Sequence, residues 1–248
     1  MNGIKAWIIP LLLFLGCGVH EKDPQKTIVL LFDLSASTSR EETVKNYLHG
    51  VQIILPKVNH GDVVAGGSIL ESSFSEEVLP INEEIPLFIP SKDNFFVIKK
   101  ERIGPDEKLK KTREDIYATA EKLLSRHHLK GRVLQTDILS SLHVAERIFK
   151  TYKNERKILV IFSDMIQDSS EYNFEKEILS KERIEEIISE EKSMNRMPEL
   201  TSVMVYIAGA TAPTTEKFFA RRNFWLTYFK ECGAAFLQEN YGTTLIKF

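Results

Sequence analysis

The chain has 248 residues, 43% of them hydrophobic and 27% charged, and its 33 basic and 35 acidic side chains leave a formal charge of -2. These proportions exclude extensive disorder, and the near-neutral balance offers no field to hold a polyanion, so nucleic acid is not an expected partner. The length suits one large α/β domain or two small ones, and no internal repeat or low-complexity segment marks a second.

Residues 1–17 read as an export signal. Lys5 supplies a positive charge, Ala6 to Gly16 form an apolar stretch interrupted by Pro10, and His20-Glu21-Lys22-Asp23 follows closely. The run is shorter than the ~20 apolar residues that a bilayer-spanning helix needs. Leu13-Phe14-Leu15-Gly16-Cys17 resembles the lipobox of bacterial lipoproteins, where a small residue precedes a cysteine that is lipidated and becomes N-terminal after cleavage. Phe14 and Leu15 depart from the usual residues at their positions. The resemblance implies lipidation at Cys17 and an exported lipoprotein anchored on the periplasmic or outer face of a membrane; the alternative is a plain secretory signal. Cys232, the other cysteine, is then left without a disulfide partner and reads as a small buried apolar residue.

A polar linker over 18–26 leads into a domain expected over 27–248. Thr27 to Phe32 is apolar and β-rich with no polar alternation, as in a strand covered on both faces. Ser37 to Ser39 are expected to cap a helix through Leu55 that stops at Pro56, with Val44, Tyr47, Leu48, Val51 and Ile54 at helical spacing. Val63 to Leu70 reads as a second strand. Three prolines break residues 71–104 into short pieces, read as an edge strand or hairpin. A helix is expected from about Pro105 to His128, with proline in its first turn, and another from Thr136 or Asp137 to Lys150. Lys157 to Phe162 is a second fully apolar strand. A charged helix over 175–192, a strand over 202–208, a helix over 214–231 and a short strand over 234–238 complete the order. Alternating strands and helices predict a doubly wound, mostly parallel sheet with helices on both faces and one antiparallel edge strand.

In such a sheet, ligands sit at the carboxyl ends of the strands, near the point where strand order reverses. Two apolar strands, expected to be central and adjacent, run straight into aspartates there: Phe32-Asp33-Leu34-Ser35-Ala36-Ser37 and Phe162-Ser163-Asp164. Carboxylates that share an edge repel or titrate apart unless a proton or cation lies between them. Magnesium takes oxygen ligands in near-octahedral geometry, and two carboxylates with several hydroxyls suit it. The alternation of Asp33, Ser35 and Ser37 lets one tight loop direct all three to a single point.

Here the sequence resembles the von Willebrand factor A-like domains, whose metal-ion-dependent adhesion site follows the first strand as Asp-x-Ser-x-Ser, matched by Asp33-Leu34-Ser35-Ala36-Ser37. The family adds a threonine before a helix and an aspartate after the fourth strand, which Thr136 and Asp164 fit. The resemblance implies Ser35, Ser37 and Thr136 as direct ligands, with Asp33 and Asp164 balancing the charge. It implies magnesium as the metal, with manganese or calcium as alternatives, and a protein ligand that offers an acidic side chain. It also implies a binding module and not an enzyme. Met165 departs from the glycine that many members carry after that aspartate.

Two other readings stay open. An aspartate after the first strand also begins the haloacid dehalogenase motif, which would make the protein a metal-dependent phosphohydrolase. That chemistry needs a second aspartate two residues on, where Ser35 stands, and no glycine-rich phosphate loop is present. In a metal-free scaffold, Asp33 and Ser37 would only cap the next helix. The six histidines, His127-His128 included, offer no zinc spacing. With the last strand ending near Gln238, no catalytic partner domain or transmembrane helix is expected after it. A tether from Cys17 of about nine residues reaches ~30 Å and enters the first strand at its amino end, so the metal edge should face away from the membrane.

Overall fold

Two uninterrupted apolar runs, Ile28 to Phe32 and Ile158 to Phe162, become the centre of the sheet. In the computed structural model, which describes residues 24–38, 40–69, 79–126, 136–245 and 247–248, β1 (Lys26–Asp33) and β4 (Arg156–Phe162) lie side by side and parallel. Every residue of β1 is buried, as a strand flanked by strands and covered by helices on both faces requires. The sheet order is β3-β2-β1-β4-β5-β6, with β2 (Val63–Ile69), β5 (Val203–Ala208) and β6 (Ala235–Gly242) parallel to the central pair and β3 (Ile81–Glu84) antiparallel at one edge. Strand order reverses between β1 and β4. The α/β doubly wound architecture, with its single antiparallel edge strand, is therefore as the sequence predicts.

The alternation of side chains along each strand divides the core in two. One face of β1 sends Ile28, Leu30 and Phe32 toward α1 (Glu41–Ile54) and α2 (Phe95–Arg126). The other sends Val29 and Leu31 toward α3 (Ile138–Thr151), α4 (Lys181–Ser193) and α5 (Thr215–Glu231), where Phe224, Trp225, Tyr228 and Phe229 fill the interior. No helix among the described residues is long and apolar enough to cross a membrane. Cys232 is buried, and burial pushes its thiol up to about 12, as expected of an inert packing residue.

Several boundaries differ from the sequence expectation. Helix α2 begins at Phe95, so Pro105 lies inside it and does not open it. The first ten residues carry no buried apolar stripe, which is why their helical period was not legible. Residues 175–180 are not helical: Asn173 accepts hydrogen bonds from the backbone N–H of Glu175 (3.2 Å) and Lys176 (3.1 Å) and turns the chain, and Ser180 caps α4 by accepting from Arg183 N–H at 3.3 Å. The N-cap of α1 is Arg40, without a side-chain cap bond. A short 3-10 turn, Leu55–Lys57, takes in Pro56. The last strand continues to Gly242 because Tyr241 and Gly242 pair again with Ile207 and Ala208 after an irregularity in register. Cys17, Ser39 and His127-His128 lie outside the described residues.

Candidate metal site

The register Phe32↔Phe162 sets the residues that follow, Asp33 and Ser163, side by side where the two central strands end. Asp33 is 1% exposed. One carboxylate oxygen accepts from the backbone N–H of Ser35 at 2.8 Å and the other from the hydroxyl of Ser163 at 2.7 Å. Thr38 locks the loop from below: its hydroxyl is 2.8 Å from the carbonyl of Asp33 and 2.9 Å from that of Ser35. With Asp33, Ser35 and Thr38 all committed, the loop has one way to present its outer hydroxyls.

The hydroxyls of Ser35 and Ser37 are 2.9 Å apart, and that of Ser37 is also hydrogen-bonded to Asp164. Asp33, Ser35, Ser37 and Asp164 thus form one connected set of oxygens bridging the ends of β1 and β4. Asp164 is buried and accepts from Ile166 N–H at 3.0 Å. The residue between them, Met165, has φ 62, the left-handed backbone that a glycine there would adopt without strain. Packing holds it: its side chain is fully buried, its N–H donates to the Ser163 hydroxyl at 2.9 Å, and its carbonyl accepts from the Trp225 indole at 3.1 Å.

Thr136 is buried and sits in an antiparallel bridge with Asp168, its N–H donating at 2.8 Å and its carbonyl accepting at 2.9 Å. Gln167 tightens the same junction. Its side-chain oxygen accepts from Ile138 and Leu139 N–H at 2.8 and 3.1 Å, and its amide donates to Asp137 at 2.9 Å. Asp137 caps α3 by accepting from Ser140 N–H, the role its sequence position indicates. The Thr136 turn is therefore fixed to the loop that carries Asp164, although among the described residues no hydrogen bond joins Thr136 to the other four.

Electrostatics separate this edge from an ordinary polar turn. Burial, then the neighbouring charge of Asp164, pushes the Asp33 carboxyl up to about 7, against the pull of its hydrogen bonds to Ser163 and Ser35. Burial also raises Asp164, opposed by the Ser37 hydroxyl and by the positive charge of Arg221 on α5. Among the described residues neither carboxylate forms an ion pair with a lysine, arginine or histidine. The phenol of Tyr47 is buried, has no hydrogen-bond partner among the described residues, and is raised well above its usual range by burial and by both aspartates. Ser163, Thr38, Gln167 and Tyr47 are not among the site residues that the sequence suggests. Ser163 was reachable from sequence, because it follows Phe162 in a strand expected beside the first; the others depend on how the loops close.

The donor chemistry fits a hard divalent cation. The donors joined here are all oxygens, the carboxylates of Asp33 and Asp164 and the hydroxyls of Ser35 and Ser37, and among the described residues no group of three or more His, Cys, Asp or Glu side chains gathers. That set suits magnesium, manganese or calcium and not zinc.

Neither a family model nor a curated protein matches the chain. Among solved structures, proximal thread matrix protein 1 from the mussel byssus is 15% identical, with a TM-score of 0.45, over 90% of this chain and 44% of that one. A von Willebrand factor type A protein from Catenulispora acidiphila is 12% identical, with a TM-score of 0.36, over 85% and 43%. The manganese-loaded TRAP protein of Plasmodium vivax is 11% identical, with a TM-score of 0.39, over 86% and 68%. The chain spans less than half the length of the first two. What the site does has to be argued from its own geometry.

Proposed function

We propose that the protein is a von Willebrand factor A-like, metal-dependent binding module, and that its ligand is a protein offering an acidic side chain to the metal. The observation that carries this is the pair of buried carboxylates, Asp33 and Asp164, at the ends of adjacent strands, linked through Ser35 and Ser37 and forming no ion pair among the described residues, with Arg221 acting on Asp164 only from a distance. Two buried negative charges so close are stable only if a proton or a cation offsets them. A divalent ion supplies that charge and, when bound, gives a ligand's carboxylate an electropositive point to bind.

Ser35, Ser37 and Thr136 would hold the ion through hydroxyl oxygens, with Asp33 and Asp164 as the balancing charges, and magnesium is the expected occupant. The chain's own residues do the positioning. Thr38 and Ser163 fix Asp33, and the Gln167 junction fixes the turn bearing Thr136. Hydroxyl ligands leave net positive charge at the ion, which favours an anionic partner over a neutral one. Phosphoryl transfer is disfavoured by the site itself: the position two residues after Asp33 is Ser35, which has no acidic proton to give a leaving group.

Anchoring through a lipidated Cys17, with the module exported, completes the proposal. Binding is tested by capturing partner proteins from membranes with the wild-type chain in magnesium, in chelator, and with Asp33→Ala. Partners retained in magnesium and lost in both other arms support the reading; retention in all three would leave a metal-free scaffold.

A further inference from the structure

The edge of the sheet opposite the metal site has a different chemistry. There β3 pairs with the start of β2 (Val63↔Glu84), and the chain leaves the sheet at Ile85, held by Gly61 N–H and the Asp62 carbonyl at 2.9 Å each. Because Thr27 pairs with Val63, this is also the edge at which the chain enters β1. Residues 87–105 are pinned at both ends to the turn before β2: the His60 ring lies 6.0 Å from that of Phe88 and is hydrogen-bonded to Asp106 at 2.9 Å.

This segment gathers exposed apolar side chains. Leu87 is 42% exposed, Ile89 72%, Phe95 70%, Phe96 79% and Ile103 59%, five of the nine large hydrophobic side chains exposed among the described residues, within 17 positions. Leu87 and Ile89 also line a groove of about 480 Å³, with Phe88, Pro105 and Leu109. Such clustering is unlike the scattered apolar exposure of ordinary surfaces and marks a contact site. Residues 86–111 also carry seven basic against four acidic side chains, net +3 in a chain of -2. Of the four acids, Asp106 is engaged by His60 and Arg102, and Glu101 by Ser91.

We propose that this amino-edge surface is a lipid contact that seats the domain on an anionic bilayer. Exposed aromatic and aliphatic tips surrounded by lysines suit an interface in which rings enter the headgroup layer and ammonium groups stay with the phosphates. A second copy of the chain is the poorer occupant, because it would bring one positively charged surface against another. Its position also decides between partners: the tether reaches β1 at this edge, where Gly61 lies against the Gln25 side chain. An anchor at Cys17 would hold Phe95 and Phe96 near the bilayer and turn the Asp33 loop away from it. The proposal builds on the anchoring reading, and the test separates the two.

Single cysteines replace Ile89, Phe96 or, as a control in the first turn of α5 at the metal edge, Glu216, in the full chain and again with Cys17→Ser. Each is labelled with an environment-sensitive fluorophore; buried Cys232 does not compete. The chains are placed on vesicles of phosphatidylglycerol and phosphatidylethanolamine containing a lipid-borne quencher. Quenching at positions 89 and 96 about fivefold greater than at 216, and weaker on phosphatidylcholine alone, is expected in both arms. Water-like emission at 89 and 96 on vesicles in both arms would overturn the proposal, as would a blue shift that needs no vesicles and grows with protein concentration, which would mean a second copy. Intact mass reports lipidation of Cys17 independently, so loss of the anchor reading leaves the surface measurement decisive.

Discussion

Each end of the central sheet holds a buried aspartate, and the two are treated differently. At the amino edge Asp62 is 1% exposed and fully served: it accepts from Lys26 N–H at 2.8 Å and Asn59 N–H at 2.7 Å, and the Lys26 ammonium lies 3.3 Å away. At the carboxyl edge Asp33 is equally buried, but its partners are two neutral donors and a second carboxylate. A buried charge with its counterion present is part of the fold, and one without an ion-pair partner among the described residues points to something the chain binds. Elsewhere the amino edge exposes apolar side chains on a long segment, whereas the Asp33 and Asp164 loops at the carboxyl edge are tied by hydrogen bonds.

The comparison makes ordered predictions. Asp62→Ala strands the Lys26 charge in the interior and is expected to lower folding stability by about 3–5 kcal/mol, read by urea denaturation, with magnesium affinity unchanged. Asp33→Asn should do the reverse, leaving the stability of the metal-free protein equal or higher and lowering magnesium affinity by about 100-fold, roughly 3 kcal/mol. If Asp33→Asn instead destabilises the metal-free protein as strongly as Asp62→Ala does, the two edges are alike and the distinction fails.

Gly209, at φ 109, packs against both sides of the site: a Cβ there would lie 2.7 Å from the Tyr47 ring and 2.9 Å from the Ser163 carbonyl. Gly209→Ala is expected to cost about 2–3 kcal/mol and to weaken magnesium binding through the displaced Ser163 loop. Thermal melting with and without metal separates the two effects.

The pH dependence has a definite sign. Asp33 binds its proton more tightly in the folded protein, near 7, than at its ordinary value of 3.8. Its contribution to stability is therefore present at low pH and is lost as pH rises from about 4 through 7. The metal-free protein should melt at a lower temperature at pH 8 than at pH 5 for this reason, and the stabilisation by magnesium should grow over the same interval. The smallest expected effect is from Ser37→Ala, about a tenfold loss of affinity with no change in fold, because Ser37 is exposed.

Much of the carboxyl edge was legible in the sequence. Thr27 to Phe32 and Lys157 to Phe162 are apolar without alternation because they are buried on both faces, and such strands announce where they end; Asp33 and Asp164 follow from that. The joining of Ser37 to Asp164 was also within reach, since the two strands were expected to be neighbours. The amino edge was not legible. Its helix starts at Phe95 with apolar residues facing outward, and the sequence rule that places apolar residues inside has no purchase on a surface that keeps them exposed. The left-handed turn at Met165 was likewise hidden, because its strain is offset by contacts from Trp225, sixty positions away.

The central claim is that Asp33, among the described residues, lacks the ion-pair partner that Asp62 has in Lys26. Titration of magnesium into the chelator-treated wild-type chain at pH 8, followed by calorimetry beside Asp33→Asn, tests it most directly. Saturable heat at one ion per chain in the wild type, lost in the variant, is the predicted result; a wild type without metal-dependent heat for magnesium, manganese or calcium would contradict it.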